Sequence, residues 1–199
     1  MSTINYTLRL LLFVEDPGAV NYFEPLLNYL DGRFPYRLLG YGKGFEQLQK
    51  AGYIIEKFNP HVIEHLEENY DFLIVGTSEN PNTGAFTLIE WSNALNITSV
   101  ALLDSGVNAP YRFRGRGNHP LTHAPDFLLL PDRWSLEEFK DLGISSEKMA
   151  IIGQPKTKPE WSSELGSDAQ KFMLPEEAWN RRVFVFVSEI STGLNPTQY

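Results

Sequence analysis

The sequence predicts an α/β protein in which helices cover both faces of a parallel β-sheet. Short runs rich in Leu, Ile, Val and Phe recur along the chain, and most of them lack polar–apolar alternation. Strands buried on both faces of a sheet have this character. Helix-like segments lie between the runs, and alternating strands and helices favour right-handed crossovers within one sheet.

The predicted elements follow from these patterns and from turn residues. Strands are expected at residues 8–14, 36–41, 72–76, 98–103, 127–130, 149–152 and 183–187. Helices are expected at residues 20–30, 45–50, 60–69, 83–95, 135–142 and 168–173. Pro25 lies inside the first helix, which predicts a kink there or a helix that begins near Glu24. Residues 105–125 predict a long loop, a feature that is more often functional than structural.

Composition excludes several function classes. The chain has 199 residues, a net charge of −8 and no cysteine. The absence of cysteine excludes disulfides, a thiol nucleophile and Cys-ligated metals. The acidic balance argues against nucleic-acid binding, which requires clustered Lys and Arg. The sequence shows neither a signal peptide nor a run of about 18 uncharged apolar residues, so we expect a cytoplasmic protein without a membrane span.

Length and pattern predict one main domain. We expect residues 1–180 to form it and residues 181–199 to form a terminal strand and tail. That strand either completes the first sheet or opens a second domain. Residues 156–167 predict a linker or a surface excursion.

The first candidate motif follows the first strand and contains Glu15, Asp16, Gly18 and Asn21. Ligands bind outside the carboxyl ends of strands in open parallel sheets. Gly18 permits close backbone approach, and the following helix offers free N–H groups. The two carboxylates suit sugar hydroxyls better than a phosphate. The alternative is a tight turn in which Asp16 caps the helix.

The second motif, Gly76-Thr77-Ser78, follows a buried strand. Gly76 permits close approach, and the two hydroxyls are candidate ligand-binding groups. The alternative is a Ser/Thr loop that caps the next helix.

The third motif begins at Asp104 and continues through Asn108, Arg112, Arg114 and Arg116. A carboxylate at a strand end is a candidate general base or hydroxyl ligand. Guanidinium groups bind phosphate in a bidentate manner. The motif therefore predicts a site for a phosphorylated or nucleotide-linked sugar, and the alternative is a solvated basic loop with Asp104 in a structural ion pair.

The remaining polar residues give weaker signals. Asp132 is expected to cap a helix. His61 and His65 could share a helix face, but a metal site needs a third ligand. We therefore predict neither a metal nor another cofactor.

Taken together, these motifs resemble those of a known group of bacterial proteins. The motifs occur in the order DPGAVN (16–21), GTS (76–78), LDSGVNAPYRF (103–113), LPD (130–132) and GQP (153–155). Their order resembles the N-terminal half of polysaccharide-biosynthesis proteins with the GT-B glycosyltransferase fold, a group that includes enzymes similar to UDP-N-acetylglucosamine 2-epimerase. The resemblance implies a Rossmann-like three-layer domain that faces a second domain across a cleft.

The resemblance also implies a function. The N-terminal domain usually holds the acceptor, and Asp16, Gly18, Asn21, Asp104 and Arg112 fall on turns that line the cleft. The implied function is that of the acceptor side of a glycosyltransferase-like or nucleotide-sugar enzyme, with a nucleotide sugar or sugar phosphate as ligand. The alternative is a non-catalytic module that binds a sugar or nucleotide, or that docks onto a donor-domain subunit, and a homodimer is a further expected partner.

Overall fold

A computed structural model describes residues 8–155 of the chain, apart from 60–62, 64–65 and 67–68. The predicted strand 183–187, the segments 156–167 and 168–173, and the proposed tail 181–199 lie outside the described residues. Most of the predicted helix 60–69 does so too, together with His61 and His65.

The described residues form the predicted parallel sheet. Its seven strands lie in the order β3-β2-β1-β4-β5-β6-β7, and every neighbouring pair is parallel. The strands are β1 (Leu10–Val14), β2 (Tyr36–Gly40), β3 (Glu56–Lys57), β4 (Phe72–Gly76), β5 (Thr98–Leu102), β6 (Phe127–Leu130) and β7 (Met149–Ile151). The Rossmann-like α/β class is confirmed. Sequence patterns missed β3, because its two residues are charged and exposed.

In the part of the chain that the structure describes, four α-helices connect the strands: α1 (Pro17–Leu30), α2 (Gly42–Lys50), α3 (Gly84–Ala94) and α4 (Arg133–Asp141). Short 3₁₀ turns occur at Ala109–Tyr111 and Ser146–Lys148. The alternative of a first helix that begins near Glu24 was wrong, because α1 begins at Pro17 and continues through Pro25, whereas the kink at Pro25 stays a prediction. Proline suits the first turn of a helix. Pro25 has no N–H to donate to the carbonyl of Asn21, which is an exposed residue.

The core consists of two layers, one on each face of the sheet. Alternate residues of β1 enter different layers, so that Phe13 packs with α3 and α4 while Leu12 packs with α1 and α2. All five residues of β1 are buried. This burial explains why the strand sequence is apolar without alternation.

The strand order reverses between β1 and β4, which places a crevice at their carboxyl ends. Phe13 pairs with Val75, and Gly76 pairs with Leu102. The turns after β1, β4 and β5 therefore lie at the same edge of the sheet. Within the part of the chain that the structure describes, no helix is long and apolar enough to cross a membrane.

Candidate functional site

Five polar residues meet at this carboxyl edge, and we refer to them as the strand-end cluster: Asp16, Ser78, Glu79, Asp104 and Arg112. Asp16 follows β1, Ser78 and Glu79 follow β4, and Asp104 follows β5. Arg112 reaches back from the loop that begins after β5. The sheet order thus brings together residues that are far apart in the sequence.

Arg112 is the buried centre of the strand-end cluster, with 6% of its surface exposed. Its Nη1 lies 3.4 Å from Oδ1 of Asp104, and its Nη2 lies 3.4 Å from Oε1 of Glu79. Its Nε donates a hydrogen bond of 3.3 Å to the carbonyl of Val107. A buried guanidinium requires such partners, because an unpaired buried charge is strongly destabilising.

Asp104 lies directly against the start of α1. A Cβ atom placed on Gly18 would lie only 1.9 Å from Oδ2 of Asp104, so no larger residue fits at this position while Asp104 stays in place. Gly18 therefore makes room for the carboxylate of Asp104. Oδ1 of Asp104 is buried, faces Arg112 and forms no hydrogen bond among the described residues, but the side chain as a whole is 26% exposed and therefore within reach of a ligand.

Asp16 is half-buried beside these groups and has a perturbed acidity. Burial raises the pKa of its carboxyl group, and the negative charges of Glu15 and Asp104 raise it further. A hydrogen bond from Ser78 and the positive charge of Arg112 act in the opposite direction without cancelling the increase. Asp16 occupies the N-cap position of α1, but its side chain makes no capping hydrogen bond. A carboxyl group with raised pKa in a crevice is a candidate general acid or base.

Glu15 is a buried structural residue, 6% exposed. Its Oε2 accepts hydrogen bonds from the Thr83 hydroxyl at 2.6 Å and from the Gly84 amide at 3.0 Å. Its Oε1 accepts one of 2.8 Å from the Asn80 side chain. Glu15 thereby fixes the start of α3 against the end of β1, and both of its carboxylate oxygens accept hydrogen bonds from the protein.

The remaining candidates after β1 and β4 lie in different environments. Gly76 is buried, and a Cβ there would lie 2.4 Å from Cβ of Ala19. The absence of a side chain at Gly76 therefore allows α1 to pack closely against the end of β4. Thr77 is buried, and its Oγ1 has no hydrogen-bond partner among the described residues. Asn21 is exposed on α1.

The long loop contributes Asn108 and Arg114. Asn108 has a left-handed backbone (φ = 60°), which Asn tolerates better than most residues, and its side chain donates a hydrogen bond to Glu79 at 3.1 Å. The Arg114 guanidinium lies 4.4 Å above the Tyr111 ring. Asp132 accepts hydrogen bonds from the amide and hydroxyl of Ser135, so the predicted cap of α4 is confirmed.

Sequence patterns missed Glu79 and Tyr22. The Tyr22 hydroxyl is buried without a hydrogen-bond partner in the described part of the chain. Burial, together with the negative charges of Asp104 and Asp132, raises the pKa of Tyr22 to about 12. Tyr22 lies one helical turn after Gly18, a spacing that places two residues on the same side of a helix. This spacing could have indicated Tyr22 from the sequence, but Tyr22 lies among the apolar residues of α1 and does not stand out there.

Carboxylates therefore dominate the strand-end cluster, with Arg112 as its single cation. Such a site suits neutral, hydroxyl-rich groups, which donate hydrogen bonds to carboxylates. Among the described residues, no group of three His, Asp or Glu side chains is arranged to hold a metal ion.

Comparison with solved structures identifies related folds. The chain is similar to a UDP-N-acetylglucosamine 2-epimerase from Rickettsia bellii, with 12% identity and a TM-score of 0.56, over 87% of this chain and 50% of that one. The corresponding enzyme from Neisseria meningitidis, bound to UDP-GlcNAc, has 13% identity and a TM-score of 0.54, over 86% and 54%. HepE from Anabaena, in complex with UDP, has 14% identity and a TM-score of 0.54, over 82% and 50%.

The chain has the fold of the N-terminal half of these GT-B-like proteins. It spans about half the length of the structures that it matches. No protein-family model matches the sequence, and no curated protein matches it. The likeness at this level of identity concerns the fold alone.

Proposed function

We propose that this chain supplies the acceptor side of a glycosyltransferase-like or nucleotide-sugar enzyme of bacterial polysaccharide biosynthesis, acting in the cytoplasm. The observation that carries the proposal is the convergence of Asp16 and Asp104 at the crevice between β1 and β4. Asp104 is held by Arg112 through Oδ1, and its side chain is 26% exposed at the crevice. The raised pKa of Asp16 suits a group that exchanges a proton with a sugar hydroxyl.

In this proposal, Asp104 accepts a hydrogen bond from a sugar hydroxyl, and Asp16 acts as general base. Ser78 orients Asp16 through the hydrogen bond between their side chains. Gly18 keeps the start of α1 close enough for Asp104 to reach the crevice. Thr77 is a further candidate ligand-binding residue, since its hydroxyl is buried and unpartnered among the described residues.

The test is thermal melting of the 199-residue chain with UDP-GlcNAc or UDP-glucose. A ligand that binds the folded state at about 100 times its Kd stabilises it by about 2.7 kcal/mol, which raises Tm by several degrees. We expect Asp104→Asn to remove this rise while the ligand-free urea midpoint stays close to wild type, because Arg112 keeps Glu79 as a partner.

Asp31→Asn is the matched control, since Asp31 is an exposed residue at the opposite end of α1. It should respond to both nucleotide sugars as the wild type does. Failure of both nucleotide sugars to raise Tm of the wild type would overturn the proposed function.

A second candidate is a sugar- or nucleotide-binding module without catalysis, which docks onto a donor-domain subunit or a second copy of the chain. The fixed position of Asp104 between Arg112 and Gly18 favours it, because such a carboxylate serves well as a permanent hydrogen-bond acceptor. Ligand-induced stabilisation without turnover, in the presence of any docking partner, would support this second candidate.

A further inference from the structure

The long loop has an unusual charge composition. Residues 105–125 contain Arg112, Arg114 and Arg116 and two histidines but no Asp or Glu, whereas the whole chain has 25 acidic residues and a net charge of −8. The loop is therefore a local concentration of positive charge on an acidic protein. Such a segment attracts anions.

The three arginines of the loop differ in their partners. Arg112 is buried and paired with two carboxylates, so it has little capacity left for a ligand. The guanidinium carbon of Arg114 lies 4.4 Å from the centre of the Tyr111 ring, and Nε of Arg116 donates a hydrogen bond of 2.6 Å to Oδ1 of Asn82. Within the described residues, neither Arg114 nor Arg116 forms an ion pair with a carboxylate.

The loop is held in a defined position at its far end. The His123 ring stacks on Phe86 of α3 at 4.3 Å, with only 11° between the two planes. Its Nδ1 lies 3.0 Å from Oε1 of Glu90 on the same helix. Gly115 has a left-handed backbone (φ = 63°), and a Cβ there would lie 2.7 Å from Nε2 of His123. These contacts fix the chain next to Arg114 and Arg116 rather than leaving it free.

Arg116 is connected to the strand-end cluster through the turn between β4 and α3. Asn82, the partner of Arg116, belongs to the turn between β4 and α3. The same turn contains Glu79, which pairs with Arg112, and Asn80, which binds Glu15. An extended ligand at the crevice therefore has carboxylates at one end and unpaired guanidinium groups beyond them.

We propose that Tyr111, Arg114, Arg116 and Asn82 form a phosphate-binding surface, here named the arginine surface, which binds the phosphate-bearing part of the ligand. This inference rests on the proposed function and deepens it, since the strand-end cluster binds hydroxyl groups of the same ligand. The N–H donors of an arginine guanidinium match phosphate oxygens, and Nε of Arg114 is buried without a hydrogen-bond partner among the described residues. The Asn82 bond occupies only Nε of Arg116, so its terminal nitrogens remain donors.

Two sources supply this chemistry: the diphosphate of a nucleotide sugar and the monophosphate of a sugar phosphate. Calorimetric titration of the 199-residue chain with pyrophosphate, UDP and glucose 1-phosphate distinguishes them. We expect at least one of these probes to bind, with an affinity that falls as salt is raised. Tighter binding of pyrophosphate and UDP indicates the first source, and tighter binding of glucose 1-phosphate indicates the second.

The deciding variants are Arg114→Gln, Arg116→Gln and their combination. Each removes a charge-assisted contact, so we expect about tenfold weaker binding of the best probe per substitution. Arg33→Gln is a closely matched control, because Arg33 also lies 4.4 Å above a tyrosine ring, that of Tyr29, but at the opposite edge of the sheet. Its binding should stay within about twofold of wild type.

Equal weakening by Arg33→Gln, unchanged binding in the double variant, or no binding of any probe would each overturn the arginine surface. Arg116 is exposed, so its single variant remains informative even if Arg114→Gln affects folding. If UDP-GlcNAc stabilises the wild type through Asp104 while the arginine variants bind it normally, this inference fails and the proposed function stands. If phosphate probes bind through the arginines but no nucleotide sugar stabilises the chain, the proposed function fails and the arginine surface stands.

Discussion

At the scale of single residues, Arg112 organises the polar end of the sheet. Its side chain is 7% exposed and lies between Asp104 and Glu79. A buried guanidinium needs carboxylate partners, so these two contacts hold the three side chains together. The guanidinium therefore positions Asp104 for a ligand, while binding of the ligand's phosphate is left to neighbouring residues.

Asp16 provides a prediction about pH. Because burial raises its pKa in the folded state, the folded protein favours the neutral carboxyl group. Its contribution to stability is fully present below pH 3.8, its ordinary value, and is lost as the pH rises through the folded-state pKa. Asp16→Asn stays neutral at every pH. We expect the difference in Tm between this variant and the wild type to increase, in favour of the variant, from pH 3.5 to pH 7.

Asp141→Asn is the control for this experiment, because Asp141 is exposed at the end of α4. The wild type and both variants are melted in the same buffers. A Tm difference for Asp16→Asn that stays constant or decreases with pH would contradict the assigned environment of Asp16.

At the scale of secondary-structure elements, the crevice depends on how closely α1 approaches β4. Gly76 ends β4 directly beneath Ala19, and the first turn of α1 carries Gly18 against Asp104. Glu15 fixes α3 from the same turn through its hydrogen bonds to Thr83 and Gly84. Gly18, Gly76 and the buried Glu15 thus position α1 and α3 at the carboxyl ends of β1 and β4.

Gly76→Ala tests this packing. The added methyl group would lie 2.4 Å from Cβ of Ala19, so α1 must move away from β4. Overpacking of this kind destabilises by about 1–3 kcal/mol. We expect the free energy of unfolding in urea to fall by that amount, and the Tm rise with nucleotide sugar to diminish because Gly18 moves with the helix.

Gly117→Ala is the matched control, since the nearest atom to a Cβ there is 3.6 Å away, an ordinary contact distance. Its stability should match the wild type within about 0.5 kcal/mol. Equal stability of Gly76→Ala and Gly117→Ala would mean that α1 does not approach β4 as described.

At the scale of the whole molecule, the described residues form a sheet whose centre is protected and whose margins are open. β1 and β4 pair on both sides and lie between two apolar layers, whereas β3 and β7 are the outer strands of the described sheet. Both residues of β3 are exposed, and Ile151 in β7 is 48% exposed. Local stability should therefore decrease from the centre of this sheet toward its margins.

Hydrogen–deuterium exchange tests this gradient. Amides of β1 and β4 should exchange most slowly, because breaking their bonds requires opening both neighbouring pairs and the core. Amides of β3 and β7 should exchange much faster, by a factor of ten or more, since about 1.4 kcal/mol of local stability corresponds to tenfold. Equal protection across all strands would contradict the described strand order.

Much of the fold was predictable because its signals are local. The apolar runs identified every described strand except β3, whose charged residues Glu56 and Lys57 resemble a loop. Turn chemistry identified the end of α4 and the cap at Asp132, whereas the rule against proline in helices gave one wrong alternative, a first helix that begins near Glu24. Local patterns fail where a helix continues through a proline, as α1 does at Pro25. They also fail where pairing with a neighbouring strand, rather than composition, makes a strand, as in β3.

The sequence by itself determined the α/β class and the position of polar turns at strand ends, because periodicity and turn residues act over a few neighbours along the chain. Tertiary structure alone decided which polar residues meet. The three loop arginines look alike in the sequence. In the structure, Arg112 is the buried partner of Asp104, whereas Arg114 and Arg116 have no carboxylate partner among the described residues. The physical reason is that burial and pairing depend on strand order, which places β1 beside β4 and cannot be read from local spacing.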